Sequence, residues 1–193
     1  MNRIVVFCGS STGTDAVFYV EARRLGNVLA QNGTGLVYGG AKVGLMGAVA
    51  DGVLESRGEV IGVIPHFLRT KEVAHEGLAE LIEVDSMHER KMKMHELCDG
   101  VIALPGGFGT FEELFEMLTW AQLGLHRKPI GLLNTDGFYN DLIAMIRKMV
   151  VKGFLKQINE DMLLVADQIE DLLQLMNSYV APEVPKWIHK DEV

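Results

Sequence analysis

Residues 3–13 read RIVVFCGSSTG, a short apolar run that ends in a loop containing two glycines. The apolar residues are consecutive rather than alternating, which is typical of a strand buried on both faces of a parallel sheet. The following segment, residues 14–31, has apolar residues at the 3.6-residue spacing of a helix. This part of the chain is therefore predicted to form a strand, a glycine-rich loop and a helix in succession.

The same succession recurs along the chain. Further runs rich in Val, Ile and Leu predict strands at 34–38, 59–64, 80–84, 100–104 and 129–133, with a weaker seventh strand at 162–165. Segments of helical periodicity lie at 43–56, 86–98, 110–124, 138–151 and 167–177. The alternation predicts an α/β fold with a single-domain, doubly wound (Rossmann-like), mostly parallel sheet and helices on both faces. We expect this domain to span residues 1–180 and residues 181–193 to form an irregular C-terminal tail.

The composition limits the class of protein. Glycine makes up 21 of 193 residues, an excess over the average of about 7%, but without the three-residue period of collagen. Apolar residues make up 48% of the chain, which excludes a disordered protein. The net charge is −8, and only the short run Arg90, Lys91 and Lys93 approaches a basic cluster. We therefore expect no nucleic-acid partner.

Two further features bear on the compartment. Cys8 and Cys98 form neither a CxxC pair nor a disulfide framework, which favours a reducing environment. The apolar run near the N-terminus, about five residues long, is too short for a signal-peptide core or a membrane-spanning helix. We expect a cytoplasmic protein with no membrane partner, whose surplus of apolar residues is available for a subunit interface.

Three glycine-rich loops follow predicted strands and precede predicted helices: GSSTG at 9–13, GGAKVGLMG at 39–47 and PGGFGTFEE at 105–113. Free backbone amides and the helix dipole make such a loop an anion site. Tight turns and close helix packing also select glycine, so each loop alone has an ordinary structural explanation. Because the carboxyl ends of parallel strands lie at one edge of a sheet, three such loops together favour a phosphorylated ligand.

Common nucleotide-binding motifs do not account for these loops. The dinucleotide fingerprint GxGxxG fails because the best match, beginning at Gly107, has Glu112 in place of the last glycine. No GK[ST] follows a glycine run, which excludes a P-loop. The six histidines form no compact ligand cluster, so we expect neither a metal ion nor another cofactor.

Glu113 lies in the helix that follows the third loop, on the side away from its apolar stripe. A carboxylate beside an anion site is well placed to act on a phosphorylated substrate. The spacing of Thr110 and Glu113 also fits a capping box, in which Thr110 begins the helix and Glu113 bonds back to its amide. The spacing alone favours the capping box over a catalytic role.

The predicted helix 86–98 carries a charge within its apolar face. Ser86 and Glu89 form a second capping-box pattern, and the helical phase that it sets places Arg90 inside the apolar arc. A buried guanidinium requires a carboxylate or an anionic ligand. The alternative is an arginine at the edge of the arc whose head group reaches water. Lys91 falls beside the arc, which predicts a lysine that is solvated or weakly directed at a phosphate.

These segments together resemble the signature of a known family. MHERKMKM at 87–94, followed by ALPGGFGTFEE at 103–113, is similar to the RK…PGGxGTxxE pattern of the LOG ("Lonely Guy") family. Members of that family are phosphoribohydrolases, which release free cytokinins from their nucleotides. YGGAKVGLMG at 38–47 and FCGSS at 7–11 also resemble loops of the family. The resemblance extends over nearly the whole chain, up to the start of the expected tail.

The resemblance implies roles for individual residues. Arg90 and Glu113 would be the catalytic pair, and Lys91 would lie near the substrate. Glu72 falls where the family has an acid that contacts the substrate. Family members are usually homodimers with sites near the interface. The substrate would be bound by Ser10, Gly39, Gly40, Gly107, Phe108, Gly109 and Thr110, of which the last four would hold the 5′-phosphate.

The implied reaction is hydrolysis of the N-glycosidic bond of a nucleoside 5′-monophosphate, either a cytokinin riboside 5′-monophosphate or AMP. Cleavage develops positive charge on the ribose, which Glu113 would stabilise while it orients the attacking water. Arg90 would hold the phosphate or assist departure of the base. The alternative is a non-catalytic nucleotide-binding or carrier protein that uses the same loops. Proteins with PGGxGT motifs have also been called lysine decarboxylases, but no lysine here has a supporting signature for pyridoxal-phosphate chemistry.

Overall fold

A computed structural model describes residues 1–69, 74–75 and 77–183 as an alternation of strands and helices. The strands are β1 (Arg3–Phe7), β2 (Gly35–Tyr38), β3 (Val60–Pro65), β4 (Glu80–Val84), β5 (Gly100–Ala103), β6 (Ile130–Leu133) and β7 (Leu163–Ala166). The helices are α1 (Ala16–Gln31), α2 (Gly44–Glu55), α3 (His66–Arg69), α4 (Met87–Leu97), α5 (Phe108–Gln122), α6 (Asn140–Val151), α7 (Gln157–Glu160) and α8 (Ile169–Ser178).

The seven strands form one parallel sheet in the order β4-β3-β2-β1-β5-β6-β7. The chain starts at the centre with β1, builds outward to β4, and then crosses back to place β5 on the other side of β1. This reversal opens the crevice at the carboxyl ends of the strands in which such sheets bind ligands. Phe7 pairs with Ala103, so the loops that follow β1 and β5 leave the sheet at the same level.

Helices cover both faces of the sheet, which confirms the predicted doubly wound α/β fold. Helices α1, α2 and α8 bury residues such as Leu25, Val49 and Leu172 against one face. Helices α4 and α5 bury Met94 and Leu114 against the other. Because both faces are covered, the central strands consist of consecutive apolar residues rather than alternating ones.

Helices α1 and α2 pack closely because each has a glycine at the contact. A Cβ atom on Gly26 would lie 2.1 Å from the carbonyl oxygen of Val49, and one on Gly52 would lie 2.0 Å from that of Arg23. Neither position has room for a side chain. The contact holds α2, which follows the second glycine-rich loop, in a fixed place beside α1.

The predicted boundaries differ from the structure at a few places. The helix predicted from residue 110 begins at Phe108. Helices α3 and α7 have four residues each, too few to show a helical period in the sequence. Of the expected irregular tail at 181–193, residues 184–193 lie outside the described residues. Within the described ranges, none of the helices combines the length and apolar character needed to traverse a membrane.

Candidate active site

The three glycine-rich loops meet at the carboxyl edge of the sheet. The amide of Gly9 donates a hydrogen bond to the carbonyl oxygen of Pro105 at 3.0 Å, and the amide of Leu45 donates to the carbonyl oxygen of Gly9 at 3.0 Å. The first loop is therefore bonded to both of the others. The prediction that the loops share one edge of the sheet is confirmed.

The glycines of the third loop fall into two kinds. A Cβ atom on Gly106 would lie 2.7 Å from the Cβ of Thr110 and 2.9 Å from the amide nitrogen of Gly9, so this glycine permits close packing. A Cβ atom on Gly107 or on Gly109 would meet no atom of the described residues within 4 Å. These two glycines leave the backbone of the third loop open to a ligand.

Helix α5 begins at Phe108 with Gly107 as its N-cap, and its first internal hydrogen bond joins the amide of Phe111 to the carbonyl oxygen of Gly107 at 3.1 Å. Thr110 is buried in the first turn instead of preceding the helix. The predicted capping box of Thr110 and Glu113 is therefore wrong. The physical reason is that Gly107 serves as the N-cap, and Thr110 packs inside the first turn against Gly106, the first glycine of the PGG sequence.

The N-terminus of α5 has the properties of an anion site. No side chain among the described residues caps it, and the first amides of a helix have no acceptor within the helix. The side chain of Phe108 is 97% exposed and so does not cover those amides. Together with the helix dipole, the free amides at residues 107–110 favour a bound phosphate.

Glu113 lies one turn further along α5 and is partly buried. Burial raises the pKa of its carboxyl group from 4.5 to about 7, although the nearby charge of Arg90 lowers it. The neighbouring Glu112 adds to the upward shift. Near neutral pH the group can therefore both hold and release a proton, as acid–base catalysis requires. Burial, assisted by the charge of Glu113, also raises the pKa of the Cys8 thiol at the end of β1.

Arg90 is only 7% exposed, which corrects the alternative of an arginine that reaches water. The hydroxyl of Ser86 accepts a hydrogen bond from the amide of Glu89 at 3.1 Å, so the predicted N-terminal cap of α4 and its helical phase are confirmed. That phase directs Arg90 toward the sheet. There Nε donates to the carbonyl oxygen of Val63 and Nη2 donates to that of Gly39, each at 3.1 Å.

Two backbone carbonyls thus take the place of the carboxylate partner that the sequence suggested for Arg90. A Cβ atom on Gly39 would lie 2.2 Å from Nη2, so only glycine permits this contact. Within the described residues, the recorded contact of Nη1 is the sulfur of Met87 at 3.8 Å. This contact uses one of the two N–H groups of Nη1, and the other has no acceptor among the described residues and can donate to an anionic ligand.

Lys91 is buried, and the prediction that it is solvated is wrong. Its Nζ donates hydrogen bonds to Glu112 at 2.6 Å and to Glu116 at 3.0 Å, both on α5. Burial lowers the pKa of Lys91, but the two hydrogen bonds outweigh burial and leave the pKa raised. Lys91 therefore stays a cation and ties the helix of Arg90 to the helix of Glu113.

The remaining predicted residues lie in the first two loops. Ser10 is exposed in the first loop. Gly39 and Gly40 follow β2, and Gly40 has a φ of +80°, which favours glycine. Glu72 lies outside the described residues. The structure thus brings together Arg90, Glu113 and the loops, and leaves the role of Glu72 a prediction.

Sequence reasoning missed two pairings near the site. One is the pair of carboxylates that hold Lys91. The other is the contact between Asp51 Oδ1 and His75 Nε2 at 3.0 Å, next to the second loop. Neither has a local signature, because each joins elements that are distant in sequence. In the described part of the chain, no group of three or more His, Cys, Asp and Glu side chains could hold a metal ion.

Comparison with known proteins gives matches over most of the chain. A family described as "Possible lysine decarboxylase" matches residues 46–176. Cytokinin riboside 5′-monophosphate phosphoribohydrolase LOG2 of Arabidopsis thaliana is 46% identical over 178 residues, which are 92% of this chain and 84% of that protein. Cytokinin riboside 5′-monophosphate phosphoribohydrolase LOG of Oryza sativa subsp. japonica is 45% identical over 92% of this chain and 74% of its own length.

Similar solved structures share the fold. The molybdenum cofactor binding protein of Rippkaea orientalis has a TM-score of 0.69 and 23% identity, over 92% of this chain and 97% of that chain. The Moco carrier protein of Chlamydomonas reinhardtii has a TM-score of 0.69 and 20% identity, over 91% and 94% of the two chains. At these identities the likeness concerns the arrangement of strands and helices alone.

Proposed function

Because the chain belongs to the LOG family of cytokinin riboside 5′-monophosphate phosphoribohydrolases, we propose that it hydrolyses the N-glycosidic bond of a nucleoside 5′-monophosphate. The substrate is a cytokinin riboside 5′-monophosphate, AMP or both, and the products are the free base and ribose 5-phosphate. One observation carries the proposal: Lys91 joins the helix of Arg90 to the helix of Glu113, and the latter helix begins with an N-terminus that can hold a phosphate.

The 5′-phosphate would lie at the start of α5. The open backbone at residues 107–110 offers amide donors, and the helix dipole favours the negative charge. The second N–H group of Arg90 Nη1, the one that does not contact Met87, can donate to the same phosphate or to the departing base. Holding the phosphate at this point would place the ribose within reach of the carboxyl group one helical turn away.

Glu113 would act on the ribose. Cleavage of the glycosidic bond develops positive charge on the sugar ring, which a nearby carboxylate stabilises. The same carboxylate can orient a water molecule and accept its proton as that water attacks the anomeric carbon. The electrons of the broken bond leave with the base, which takes up a proton. A partly buried carboxylate suits this role because its interaction with a developing cation is stronger in a region of low dielectric constant.

Lysine decarboxylation, which the description of the matching family names, does not suit these residues. That chemistry uses a lysine amine in a Schiff base with pyridoxal phosphate, and the amine must lose its proton to react. Lys91 has a raised pKa and is bonded to two carboxylates. The hydrogen bonds hold it in its unreactive form, so we do not assign it this role.

The proposal is tested by incubating the protein with AMP and, separately, with isopentenyladenosine monophosphate, followed by chromatography of the products. We expect free base and ribose 5-phosphate from at least one nucleotide, and the two rates show which base is preferred. If both nucleotides bind but stay intact, the carrier alternative is correct and the proposed hydrolysis is wrong.

Activity should depend on pH through Glu113. The carboxylate form is the active one, and its pKa is raised to about 7. The ratio kcat/KM should therefore rise with pH up to about 7 and then level off, falling about tenfold per pH unit on the acid side. The substrate phosphate itself titrates near pH 6, and its titration in free substrate would also affect kcat/KM. We therefore measure kcat at saturating substrate as well, because kcat reports groups in the enzyme–substrate complex. An acid limb centred near the ordinary value of 4.5 would contradict the assignment.

We also infer a cytoplasmic homodimer. Helices α4 and α5 leave an apolar groove of about 770 Å³ that includes Met92, Trp120 and Leu125. These helices carry Arg90 and Glu113, so a second copy bound there would lie beside the site. The two cysteines are free and buried, which suits a reducing compartment. Sedimentation velocity should give twice the chain mass of 21.3 kDa, and a monomer at micromolar concentration would contradict the dimer.

A further inference from the structure

The second glycine-rich loop is hydrogen-bonded to a separate segment of the chain, residues 74–75. The amide of His75 donates a hydrogen bond to the carbonyl oxygen of Gly40 at 3.0 Å. Next to this bond, Ala41 and Ala74 form an antiparallel bridge. Residues 74–75 thus pair with residues 40–41 like a short piece of a second strand, and the pairing holds the loop next to Gly39.

The side chain of His75 makes a further attachment. Its Nε2 atom lies 3.0 Å from Oδ1 of Asp51, and the His75 side chain is only 6% exposed. Asp51 belongs to α2, which begins directly after the loop and is fixed against α1 by Gly26 and Gly52. His75 therefore joins the loop to helix α2: its backbone amide bonds to the loop and its imidazole contacts Asp51 of the helix.

These contacts lie next to the atom that orients Arg90. The carbonyl oxygen of Gly39 accepts the hydrogen bond from Nη2 of Arg90, and Gly39 directly precedes Gly40. A displacement of the loop would therefore move the guanidinium. A displacement of about 1 Å in catalytic geometry is enough to lower a rate about 100-fold.

We propose that the Asp51–His75 pair positions Arg90 for the reaction by fixing the loop at residues 39–41. The inference rests on the proposed function, because the effect is expected on hydrolysis. Asp51 and His75 are positioning residues: they act through the loop, and the reacting atoms contact other groups. The pair adds to the site a connection between the second glycine-rich loop and helix α2.

The test compares truncation with conservative replacement. His75→Ala and Asp51→Ala each remove the contact, whereas His75→Gln retains an N–H donor and Asp51→Asn retains an oxygen acceptor. We expect the two alanine variants to lose about 10- to 100-fold in kcat/KM. The conservative variants should recover most of that loss, to within about fivefold of the wild type. If the two residues only stabilised the fold, variants of equal melting temperature would hydrolyse the nucleotide at equal rates. A lower rate in an alanine variant than in a control variant of the same melting temperature therefore indicates positioning.

A matched control comes from the other end of α2. There the hydroxyl of Ser56 donates a hydrogen bond to Asn27 at 2.9 Å, far along the helix from the loop. Asn27→Ala should lower the melting temperature, since a typical intramolecular hydrogen bond contributes about 1 kcal/mol, while leaving kcat/KM within about twofold. Comparing variants of similar melting temperature separates positioning from general loss of stability.

The outcomes are distinguishable. If the wild type hydrolyses a nucleotide and both alanine variants hydrolyse it as fast, the positioning inference is wrong and the proposed function stands. If the wild type hydrolyses neither nucleotide, the proposed function is wrong and the inference falls with it. If His75→Ala does not fold, the two Asp51 variants decide, because that side chain is 39% exposed and its removal leaves no closed cavity.

Discussion

Glu113→Gln should lower the rate of nucleotide hydrolysis by about a thousandfold. Gln has nearly the same shape as Glu but carries no charge and accepts no proton. It therefore loses both the stabilisation of the ribose cation and the activation of water, each of which contributes about 100-fold or more in enzymes of known mechanism. The rate is measured as release of free base from AMP or isopentenyladenosine monophosphate. An activity within tenfold of the wild type would remove Glu113 from the mechanism.

The same substitution should leave the protein folded. Glu113 does not take part in a helix cap, so its replacement breaks no capping bond. Its folded-state pKa is raised, so the wild type loses stability as the pH rises from 4.5 through about 7, and Gln avoids that loss. The melting temperature of Glu113→Gln should therefore exceed that of the wild type at pH 8 by more than at pH 5. Glu170→Gln, in the first turn of α8, is the control for rate and should not alter hydrolysis.

Arg90→Ala should lower kcat/KM by about 100-fold or more. It removes the cation near Glu113 and the N–H group of Nη1 that is proposed to contact the substrate. Arg90→Lys should be nearly as inactive, because an ammonium group cannot reproduce the planar fork that reaches two carbonyls and a ligand at once. Steady-state kinetics with AMP checks both variants. Arg90→Lys with activity within threefold of the wild type would contradict the assigned role.

Loss of stability must be separated from loss of function at Arg90. Removing the guanidinium leaves the buried carbonyls of Val63 and Gly39 without this donor, which destabilises by about 1–3 kcal/mol for each group left unpaired. Rates are therefore compared well below the melting temperature. Gly39→Ala is a second probe, because its Cβ atom would lie 2.2 Å from Nη2 and would displace Arg90 without removing its charge.

The fold could be predicted because the residue pattern that indicates each strand or helix lies within that element. Each central strand is buried on both faces and so consists of consecutive apolar residues, as in Ile4–Phe7 and Val101–Ala103. The helices between the strands show the helical period. The order of the strands could not be predicted in the same way. It depends on the chain crossing from β4 at the sheet edge to β5 beside β1, which no local pattern indicates.

The two capping-box patterns show that residue spacing alone does not predict where a helix begins. At Ser86 the hydroxyl accepts the predicted hydrogen bond from the amide of Glu89, whereas the carboxylate of Glu89 accepts from the amide of Asp85 at 2.8 Å rather than from that of Ser86. At Thr110 the same spacing occurs inside a helix that already began at Phe108, because Gly107 serves as the N-cap. The spacing is identical in the two places. The packing of Thr110 against Gly106 decides the difference, and that packing is not visible in the local sequence.

The surroundings of the charged residues were the least predictable part of the site. Helical phase correctly placed Arg90 on the inner face of α4, but its acceptors are backbone atoms of β3 and the second loop. Lys91 is buried because α5 brings two carboxylates to it. Such partners depend on how helices and strands assemble, and a single helix gives no information about them. The resemblance to a known family implies roles for Arg90, Lys91 and Glu113 but names none of these partners.

The central position of β1 affects when the site can form during folding. Gly9 and Pro105 are joined by a backbone hydrogen bond but are separated by about a hundred residues of chain. Closing so long a loop has a large entropic cost, and parallel sheets with many distant contacts fold slowly. The first two loops can come together earlier, whereas we expect the N-terminus of α5 to join them only when β5 pairs with β1. Recovery of hydrolysis during refolding would therefore follow one late event, the pairing of β5 with β1 at the centre of the sheet.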